Sequence, residues 1–408
     1  MTFEQLYQEL IRSDNPEEQT LPEYDPHHLD CLLHPEKYPP VLQLETCTSY
    51  GAESSCQASC IFDAIVRKED GTLTIDPDLC AGCGACIDAC KSGKLVASKD
   101  VLPALKAIRD ANGHAYALIA PAFLGQFQED VTPGKLRSAF KAMGFRGMVE
   151  VALFADILTL KEALEFDKNI VHDGDYQLTS CCCPMWIAMI RKIYHELMPH
   201  VPGSVSPMIA CGRVIKRLYP DAVTIFIGPC IAKKSEAREP DLKGAIDYVL
   251  TFQEVQDIFD ALKIDPAAMP ESEKDHSSRA GRIYAHTGGV SEAVRKTVEQ
   301  LNPNREIEIR TRQADGVAAC RAMIEELKSK SITANFFEGM GCVGGCVGGP
   351  KAVLNKERGR ELVEHYGDQA TYQTPLENPF VLELLQRLGF QTVESLLNDS
   401  DIFTRKFD

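Results

Sequence analysis

Short apolar runs alternate with amphipathic segments through most of this chain, and the alternation predicts its fold. Three apolar runs end in small or turn residues, as buried strands do: 116–121, 224–230 and 282–289. Apolar positions recur with helical spacing in five further segments: 135–143, 186–197, 254–263, 290–301 and 315–329. Strands alternating with helices favour an α/β domain of largely parallel sheets flanked by helices, with sites at the carboxyl ends of strands.

Composition narrows the kind of protein. The chain has 408 residues and a formal net charge of -16. This acidic balance argues against nucleic acid and against an anionic membrane surface as partners. The first residues lack the basic start and apolar core of a secretory signal, and no run approaches the ~18 apolar residues of a membrane span. We therefore expect a cytoplasmic protein with no membrane partner.

The 16 cysteines are the strongest compositional signal, because many thiols in a reducing compartment indicate metal or redox chemistry. Eight lie between residues 31 and 90, and the other eight follow residue 180. This distribution predicts a leader at 1–40, a small α+β domain at 41–98 and a large domain at 99–408.

The small domain contains a spacing that is specific for iron–sulfur clusters. The segment Cys80-Ala-Gly-Cys83-Gly-Ala-Cys86-Ile-Asp-Ala-Cys90 has the C-x2-C-x2-C-x3-C pattern of bacterial ferredoxins. Short loops of Gly and Ala let three thiolates surround one cubane, and the fourth cysteine reaches a second cluster. A zinc ribbon is the alternative, but zinc needs two separated pairs of ligands.

A degenerate second half of the same pattern lies upstream, with Cys47 and then Cys56-Gln-Ala-Ser-Cys60. The exchange of fourth ligands in two-cluster ferredoxins predicts one [4Fe–4S] cluster held by Cys60, Cys80, Cys83 and Cys86. The second [4Fe–4S] cluster would then have three ligands and lack one: Cys47, Cys56 and Cys90. Cys31 is the candidate for the missing ligand, and a free buried thiol is the alternative. These motifs predict that the small domain is ferredoxin-like.

Three separated cysteine motifs occupy the large domain. They are Thr179-Ser180-Cys181-Cys182-Cys183-Pro184-Met185-Trp186, Gly228-Pro229-Cys230-Ile-Ala-Lys233-Lys234 and Glu338-Gly-Met340-Gly-Cys342-Val-Gly-Gly-Cys346. As a set they resemble the three signatures of the [FeFe]-hydrogenase family, over roughly residues 100–350. The extra cysteine of the first motif resembles a three-cysteine subgroup, and the ferredoxin-like domain resembles the accessory module of the family.

The resemblance implies a particular cofactor, the H-cluster. This cofactor is a [4Fe–4S] cluster bridged to a diiron unit with CO, cyanide and azadithiolate ligands. The implied cubane ligands are one cysteine of the triplet, Cys230, Cys342 and Cys346, of which Cys346 also bridges to the diiron unit. Other implied contacts are those of Lys233 with one cyanide, of the backbone near Pro229 with another, and of Met340, which shields the cluster. Gly228 stands where the family usually has methionine and Gly341 where it usually has alanine, so we expect a looser or wetter pocket wall.

The triplet allows two registers. Counted from Pro184, Cys183 is the cluster ligand and Cys182 is the free thiol, and this register suits a proline in the first turn of a helix. Counted from Thr179, Cys182 is the ligand and Cys181 is the free thiol. We prefer the first register.

A proton route is implied as well. Cys182 would carry protons, because the unperturbed thiol pKa of about 8.5 is close to neutrality. Glu162 and Glu165 are three residues apart, so they share one helix face, and they stand where the family has the two glutamates of its proton path. The alternative is a solvated helix face. Ser204 is the candidate for the serine that links these glutamates in the family.

The resemblance implies reversible proton reduction and H2 oxidation. Electrons would pass through the two small-domain clusters from ferredoxin or flavodoxin, and maturation proteins would supply the diiron unit. Two alternatives remain open: a hydrogenase-like protein that serves iron–sulfur assembly, and an H2 sensor with little turnover. Cys211 and Cys320 fit helical patterns and are predicted to be buried apolar residues.

Overall fold

The computed structural model describes residues 1–13, 21–47, 54–179, 182–272 and 274–407. Its N-terminal part is built from short elements: α1 (Phe3–Ile11), α2 (Pro26–Leu33), β1 (Val41–Gln43), α3 (Ser55–Ala58), β2 (Ile65–Arg67), β3 (Leu73–Ile75), α4 (Ala85–Ala89) and β4 (Leu95–Ala97). Two antiparallel pairs, β1 with β4 and β2 with β3, enclose the cysteine-bearing turns. This is the predicted α+β region.

The remainder is the predicted α/β domain. Its elements are α5 (Val101–Asp110), β5 (Ala115–Ile119), α6 (Pro133–Ala142), β6 (Gly147–Glu150), α7 (Ala152–Asn169), β7 (Gln177–Leu178), α8 (Pro184–Lys192), α9 (Pro207–Leu218), β8 (Val223–Gly228), α10 (Ala232–Arg238), β9 (Tyr248–Thr251), α11 (Phe252–Leu262), α12 (Arg279–Arg282), α13 (Gly289–Leu301), β10 (Thr311–Asp315), α14 (Gly316–Lys328), β11 (Phe336–Met340), α15 (Lys356–Asp368) and α16 (Pro379–Arg387). The five predicted helices correspond to α6, α8, α11, α13 and α14.

Two parallel sheets organise this domain. The larger has the strand order β6-β5-β8-β9, and in it Leu118 lies opposite Val149 on one side and Phe226 on the other. All five residues of β5 are buried, as expected for a central strand covered by helices on both faces. The smaller sheet has the order β10-β11-β7. The cysteine loops follow the carboxyl ends of β8 and β11.

One predicted strand is wrong. Residues 282–289 form the end of α12, a 3-10 turn (Ile283–Ala285) and the start of α13. The apolar run is buried because it packs on α7 as a helix: a Cβ on Gly281 would lie 2.0 Å from the Ala152 carbonyl oxygen. A short apolar run cannot distinguish a buried strand from a buried helical turn.

Helix α7 has 18 residues and is buried on almost every side by α9, α12 and α13. It also packs against the 3-10 turn Val393–Asn398, which leads into a C-terminal segment, residues 399–407, that we call the strap. In the strap, Thr404 forms an antiparallel bridge with Ser204, and Phe403 is fully buried in the main core. No helix within the described ranges is both long enough and apolar enough to cross a membrane.

Candidate metal-cluster site

Three loops bring four cysteines of the large domain together. Cys183 immediately precedes Pro184 at the start of α8, Cys230 follows β8, and Cys342 and Cys346 follow β11. Burial, and after it the proximity of Cys183, raises the thiol pKa of Cys230 to about 11. Burial and the proximity of Cys183 and Cys230 likewise raise the pKa of Cys346 to about 12. Each thiol therefore loses its proton more easily if a metal binds it, because a metal compensates the buried charge.

Glycines let these loops approach each other. Gly345 has φ +84, and a Cβ on it would lie 2.7 Å from Met340 Sδ. A Cβ on Gly349 would lie 2.9 Å from the Pro229 carbonyl oxygen, which joins the second loop to the third. The Gly341 N–H donates to Cys183 Sγ over 3.2 Å, as backbone amides do to thiolates in iron–sulfur sites.

The expected looser wall at Gly341 is wrong. A Cβ on Gly341 would lie 2.4 Å from Met185 Cβ, so the methionine already fills the space that an alanine side chain would need. Met185 itself is only 4% exposed. Sequence reasoning treated positions 185 and 341 separately because nothing in the sequence joins them.

Lys233 and Met340 border the same loops. The Lys233 ammonium donates to Glu236 Oε2 over 2.6 Å and is buried. Burial alone would lower the pKa of Lys233, but Glu236, Cys230 and Cys346 together raise it above its ordinary value, so the side chain stays charged. An ammonium has three N–H donors, which leaves two for another acceptor. Met340 is 2% exposed at the end of β11.

The small domain places a second set of cysteines beside the first. Four of its thiols line one cavity: Cys60, Cys80, Cys83 and Cys86. Burial and the neighbouring thiols raise the pKa of Cys86 to about 12. Burial raises the pKa of Cys342 most, and the other three thiols of the large-domain site come next. Cys83 of the small domain is close enough to raise it as well. The two cysteine sets are therefore neighbours.

The remaining small-domain cysteines are less closely grouped. Cys56 and Cys90 pack in one hydrophobic cluster, and the Cys47 carbonyl accepts from the Leu73 amide. Although burial opposes it, hydrogen bonds from Ser92 and from backbone amides lower the pKa of Cys90. Cys31 lies in a different cluster, the main core, with its sulfur 3.7 Å from His27 Nε2. Its assignment as the fourth ligand stays a prediction.

The predicted proton route lies on α7. Glu162 is 3% exposed and Glu165 has a side chain that is 15% exposed, so the solvated-face alternative is wrong. Lys161, which sequence reasoning missed, contacts both Glu165 and Ser204. Its ammonium donates to Glu165 Oε1 over 2.6 Å and to Ser204 Oγ over 2.8 Å. The sequence signal was the i,i+4 spacing of Lys161 and Glu165.

The structure is consistent with the preferred register of the triplet. Cys183 is the N-cap residue of α8 and its sulfur accepts from the cluster loop, whereas Cys182 packs against a different hydrophobic cluster that includes Met340. Cys181 lies outside the described residues. Cys211 and Cys320 are fully buried, as predicted.

Comparison with known proteins settles the family. The family model of the iron-only hydrogenase large subunit, C-terminal domain, matches residues 113–350, which is more than half of the chain. The chain belongs to the iron-only hydrogenase family. A 4Fe–4S binding domain matches residues 73–93 of this family member, in agreement with the ferredoxin-like spacing there.

The curated relatives of this family member are distant. Iron hydrogenase 1 of Clostridium pasteurianum is 28% identical over 70% of this chain and 65% of the relative. The NADP-reducing hydrogenase subunit HndD of Solidesulfovibrio fructosivorans is 25% identical over 77% of this chain and 64% of the relative. The chain thus spans less than two thirds of the length of these two proteins. Nuclear prelamin A recognition factor of Homo sapiens is 23% identical over 75% of this chain and 81% of the relative.

A solved structure supports the fold. The [FeFe]-hydrogenase HydA1 from Chlamydomonas reinhardtii superposes with a TM-score of 0.62 at 21% identity, over 76% of this chain and 98% of that one. The predicted α/β architecture of this family member is thereby confirmed.

The residues present fit an iron–sulfur cluster of the kind that the family implies. Across the ranges that the structure describes, no three His, Cys, Asp or Glu side chains are close enough to hold a single metal ion. Four partly buried thiols on three closely approaching loops instead suit a wider cluster with four separate ligands. The donor set is also soft, as iron–sulfur clusters require.

Proposed function

We propose that this protein is an [FeFe]-hydrogenase that catalyses reversible proton reduction and H2 oxidation. The observation that carries the proposal is the convergence of Cys183, Cys230, Cys342 and Cys346 beside Lys233, with residues of α7 packed in the same cluster as Cys182 and Met340. When bound, the diiron unit would supply Lewis-acidic iron and a base for H2 chemistry. Cys346 would hold this unit, and Lys233 would offer its remaining N–H donors to one cyanide.

The proposed proton route uses the chain's own side chains. Cys182 lies one residue before the proposed ligand Cys183, so its thiol is the group next to the cofactor that can take or give a proton. Glu162 and Glu165 continue the route along α7, since both are withdrawn from bulk water. Met340 covers the cluster with an apolar, polarisable side chain.

The proposed electron route runs through the small domain. Cys60, Cys80, Cys83 and Cys86 would hold the [4Fe–4S] cluster nearer to the large domain, and Cys83 is the electrostatic neighbour of Cys342. Cys47, Cys56 and Cys90 would hold the outer one. We expect ferredoxin or flavodoxin as the external carrier, and maturation proteins as the source of the diiron unit.

A second candidate is a hydrogenase-like protein with little turnover, which would serve H2 sensing or iron–sulfur assembly. The similarity to nuclear prelamin A recognition factor favours it, because that relative covers 75% of the chain at an identity close to that of the hydrogenases. H2-dependent reduction of a dye by the matured protein separates the two candidates.

The test compares Cys182→Ser with Cys183→Ser in matured protein. We expect Cys182→Ser to retain the infrared bands of bound CO and cyanide while turnover falls by about 10²–10⁴-fold, the usual contribution of an acid–base group. Cys183→Ser should lose cubane iron and the bands together. Full turnover in Cys182→Ser would remove this thiol from the route, and matured parent protein with no diatomic bands would refute the hydrogenase assignment.

A further inference from the structure

Lys161 is a buried cation in the middle of the proposed proton route. Its side chain is 3% exposed and lies on α7, which is covered on almost every side. A buried ammonium is costly unless carboxylate and hydrogen-bond partners compensate it, so such a residue persists where it has a specific partner. Lys161 has two, on elements that are far apart in the sequence.

The two partners are residues of the route itself. Lys161 Nζ donates to Glu165 Oε1 over 2.6 Å and to Ser204 Oγ over 2.8 Å. The second carboxylate oxygen, Glu165 Oε2, is buried and has no hydrogen-bond partner among the described residues. One oxygen of Glu165 is thus held by the ammonium while the other is open to receive a proton.

The bond to Lys161 also fixes the role of Ser204. A hydroxyl has one donor hydrogen and two acceptor lone pairs. Because Ser204 Oγ accepts from an ammonium, which has no lone pair to accept in return, its own hydrogen must point to a different acceptor. Lys161 therefore orients the Ser204 hydroxyl as a donor away from itself.

The strap closes this arrangement. The Val205 amide donates to the Phe403 carbonyl over 3.0 Å, and the Arg405 amide donates to the Gly203 carbonyl over 2.9 Å, on either side of Ser204. Arg213 holds the strap from outside, donating to the carbonyls of Asp401 and Thr404 over 2.7 and 2.8 Å. Ser204 is 1% exposed as a result.

We propose that Lys161 is a positioning residue of the proton route, which ties Glu165 and Ser204 into one buried hydrogen-bonded unit under the strap. The proposal rests on the proposed function. A proton that reaches Glu165 bonds to Oε2 and converts the carboxylate to the acid, and it leaves from the same oxygen toward water. Lys161 keeps its own proton throughout and holds Oε1, so that Oε2 is presented in one orientation.

The experiment compares Lys161→Met, which removes the ammonium at similar length, with Lys168→Met, an exposed lysine on the same helix. In matured protein we expect Lys161→Met to retain the infrared bands of the diiron unit, while turnover falls by about 10- to 100-fold as expected for a displaced proton relay. The solvent deuterium isotope effect on turnover should rise above the parent value. Lys168→Met should match the parent in all three measurements.

Ser204→Ala tests the same bond from its other end, with a smaller change in volume. If both variants act through one bond, the double variant Lys161→Met/Ser204→Ala should be no slower than the slower single variant. Ser204→Ala alone must raise the isotope effect, which keeps the proposal testable if Lys161→Met does not mature.

A third measurement uses protein that lacks the diiron unit. In unmatured protein, amide hydrogen exchange at residues 203–205 should be faster in Lys161→Met than in Lys168→Met, because the ammonium no longer holds the loop under the strap. Parent-like turnover, isotope effect and exchange in Lys161→Met would overturn the inference. A parent protein that shows no diiron bands would overturn the proposed function instead, and the exchange result would still decide whether Lys161 holds this loop.

Discussion

At the scale of single residues, space around the cluster loops is shared between side chains that are distant in the sequence. Met185 occupies the volume that a side chain at position 341 would need, and Trp186 does the same at position 339, where a Cβ would lie 2.1 Å from its ring. Glycine at these positions is thus required by packing. Neither residue widens the pocket.

Gly341→Ala tests this pairing. The added methyl group overlaps Met185, so we expect the unfolding free energy of the unmatured protein to fall by about 1–3 kcal/mol, as overpacking of a core does. Met185→Gly alone should lower stability through the cavity that it leaves, but in that background Gly341→Ala should cost much less. Gly147→Ala is the control, because a Cβ there meets nothing within 4 Å. Equal effects of the two alanine substitutions would contradict the pairing.

The cysteines that converge at the site could be singled out from their motifs, and the two glutamates from the family resemblance; the roles of these residues stay predictions. Lys161 and Met185 could not, because their importance depends on partners such as Ser204 and Gly341, which only the folded chain brings near. Cys31 was predicted as the fourth ligand of the outer cluster only because no other cysteine was left before Cys80. In the structure its sulfur lies near His27 and in the main core.

The buried carboxyl group of Asp156 predicts how the stability of the fold depends on pH. It is fully buried, and burial raises its pKa to about 6 despite hydrogen bonds from Ser278, Gly281 and Asn378. Between about pH 4 and pH 6 the folded state keeps this proton and the unfolded state has lost it, so stability falls as the pH rises through this window. The loss is up to about 3 kcal/mol, at about 1.4 kcal/mol for each pH unit.

The check is the difference in unfolding free energy between parent and Asp156→Asn, measured from pH 4 to pH 7. Asparagine does not titrate, so the parent should lose stability relative to the variant as the pH rises, even though the variant starts lower because it loses acceptors for two of the hydrogen bonds. Parallel pH profiles would show that Asp156 titrates alike in both states.

At the scale of elements, α7 is a helix that is buried in the protein and still carries charged side chains. Its sequence holds no continuous polar face, and the pair Glu162 and Glu165 alone does not reveal whether it is covered. The cover comes from α9, α12, α13 and the 3-10 turn Val393–Asn398, which precedes the strap. The sequence placed Glu162 and Glu165 on one helix face but predicted no bounds for this helix, and the burial of the glutamates depends on long-range packing.

Phe403 anchors the strap in the core, and Phe403→Ala is expected to cost about 3–5 kcal/mol through the cavity that it leaves. Amide exchange at residues 203–205 should accelerate in the same variant. Leu262→Ala provides the control, because Leu262 is 46% exposed and its truncation should change stability by less than about 0.5 kcal/mol. An unchanged exchange rate in Phe403→Ala would show that the strap is held by Arg213 and Arg405 alone.

At the scale of the whole molecule, the two cysteine sets belong to one packed unit. Cys83 and Ala81 of the small domain share a hydrophobic cluster with Cys183, Cys230 and Trp186 of the large one. The proposed electron route would therefore pass between residues that pack directly against each other.

Cys86→Ala should separate electron supply from catalysis. We expect loss of about four iron atoms per chain relative to the parent, since one cubane is lost. The infrared bands of the diiron unit should stay, while H2-dependent reduction of ferredoxin falls much more than reduction of a small dye. Cys31→Ala, measured in parallel, leaves the iron content unchanged if Cys31 is a packing residue and lowers it if Cys31 is a ligand.

The contact between the two sets has a consequence for protein engineering. Gly82 leaves no room for a side chain against Pro40, Ala232 and Ser235, and Gly84 faces Ile231 closely. A ferredoxin module transplanted here from another protein would have to reproduce these close approaches at the positions of Gly82 and Gly84. Grafting residues 41–98 alone should give a chimaera whose donor and acceptor clusters no longer meet, unless the matching positions on α10 are exchanged along with it.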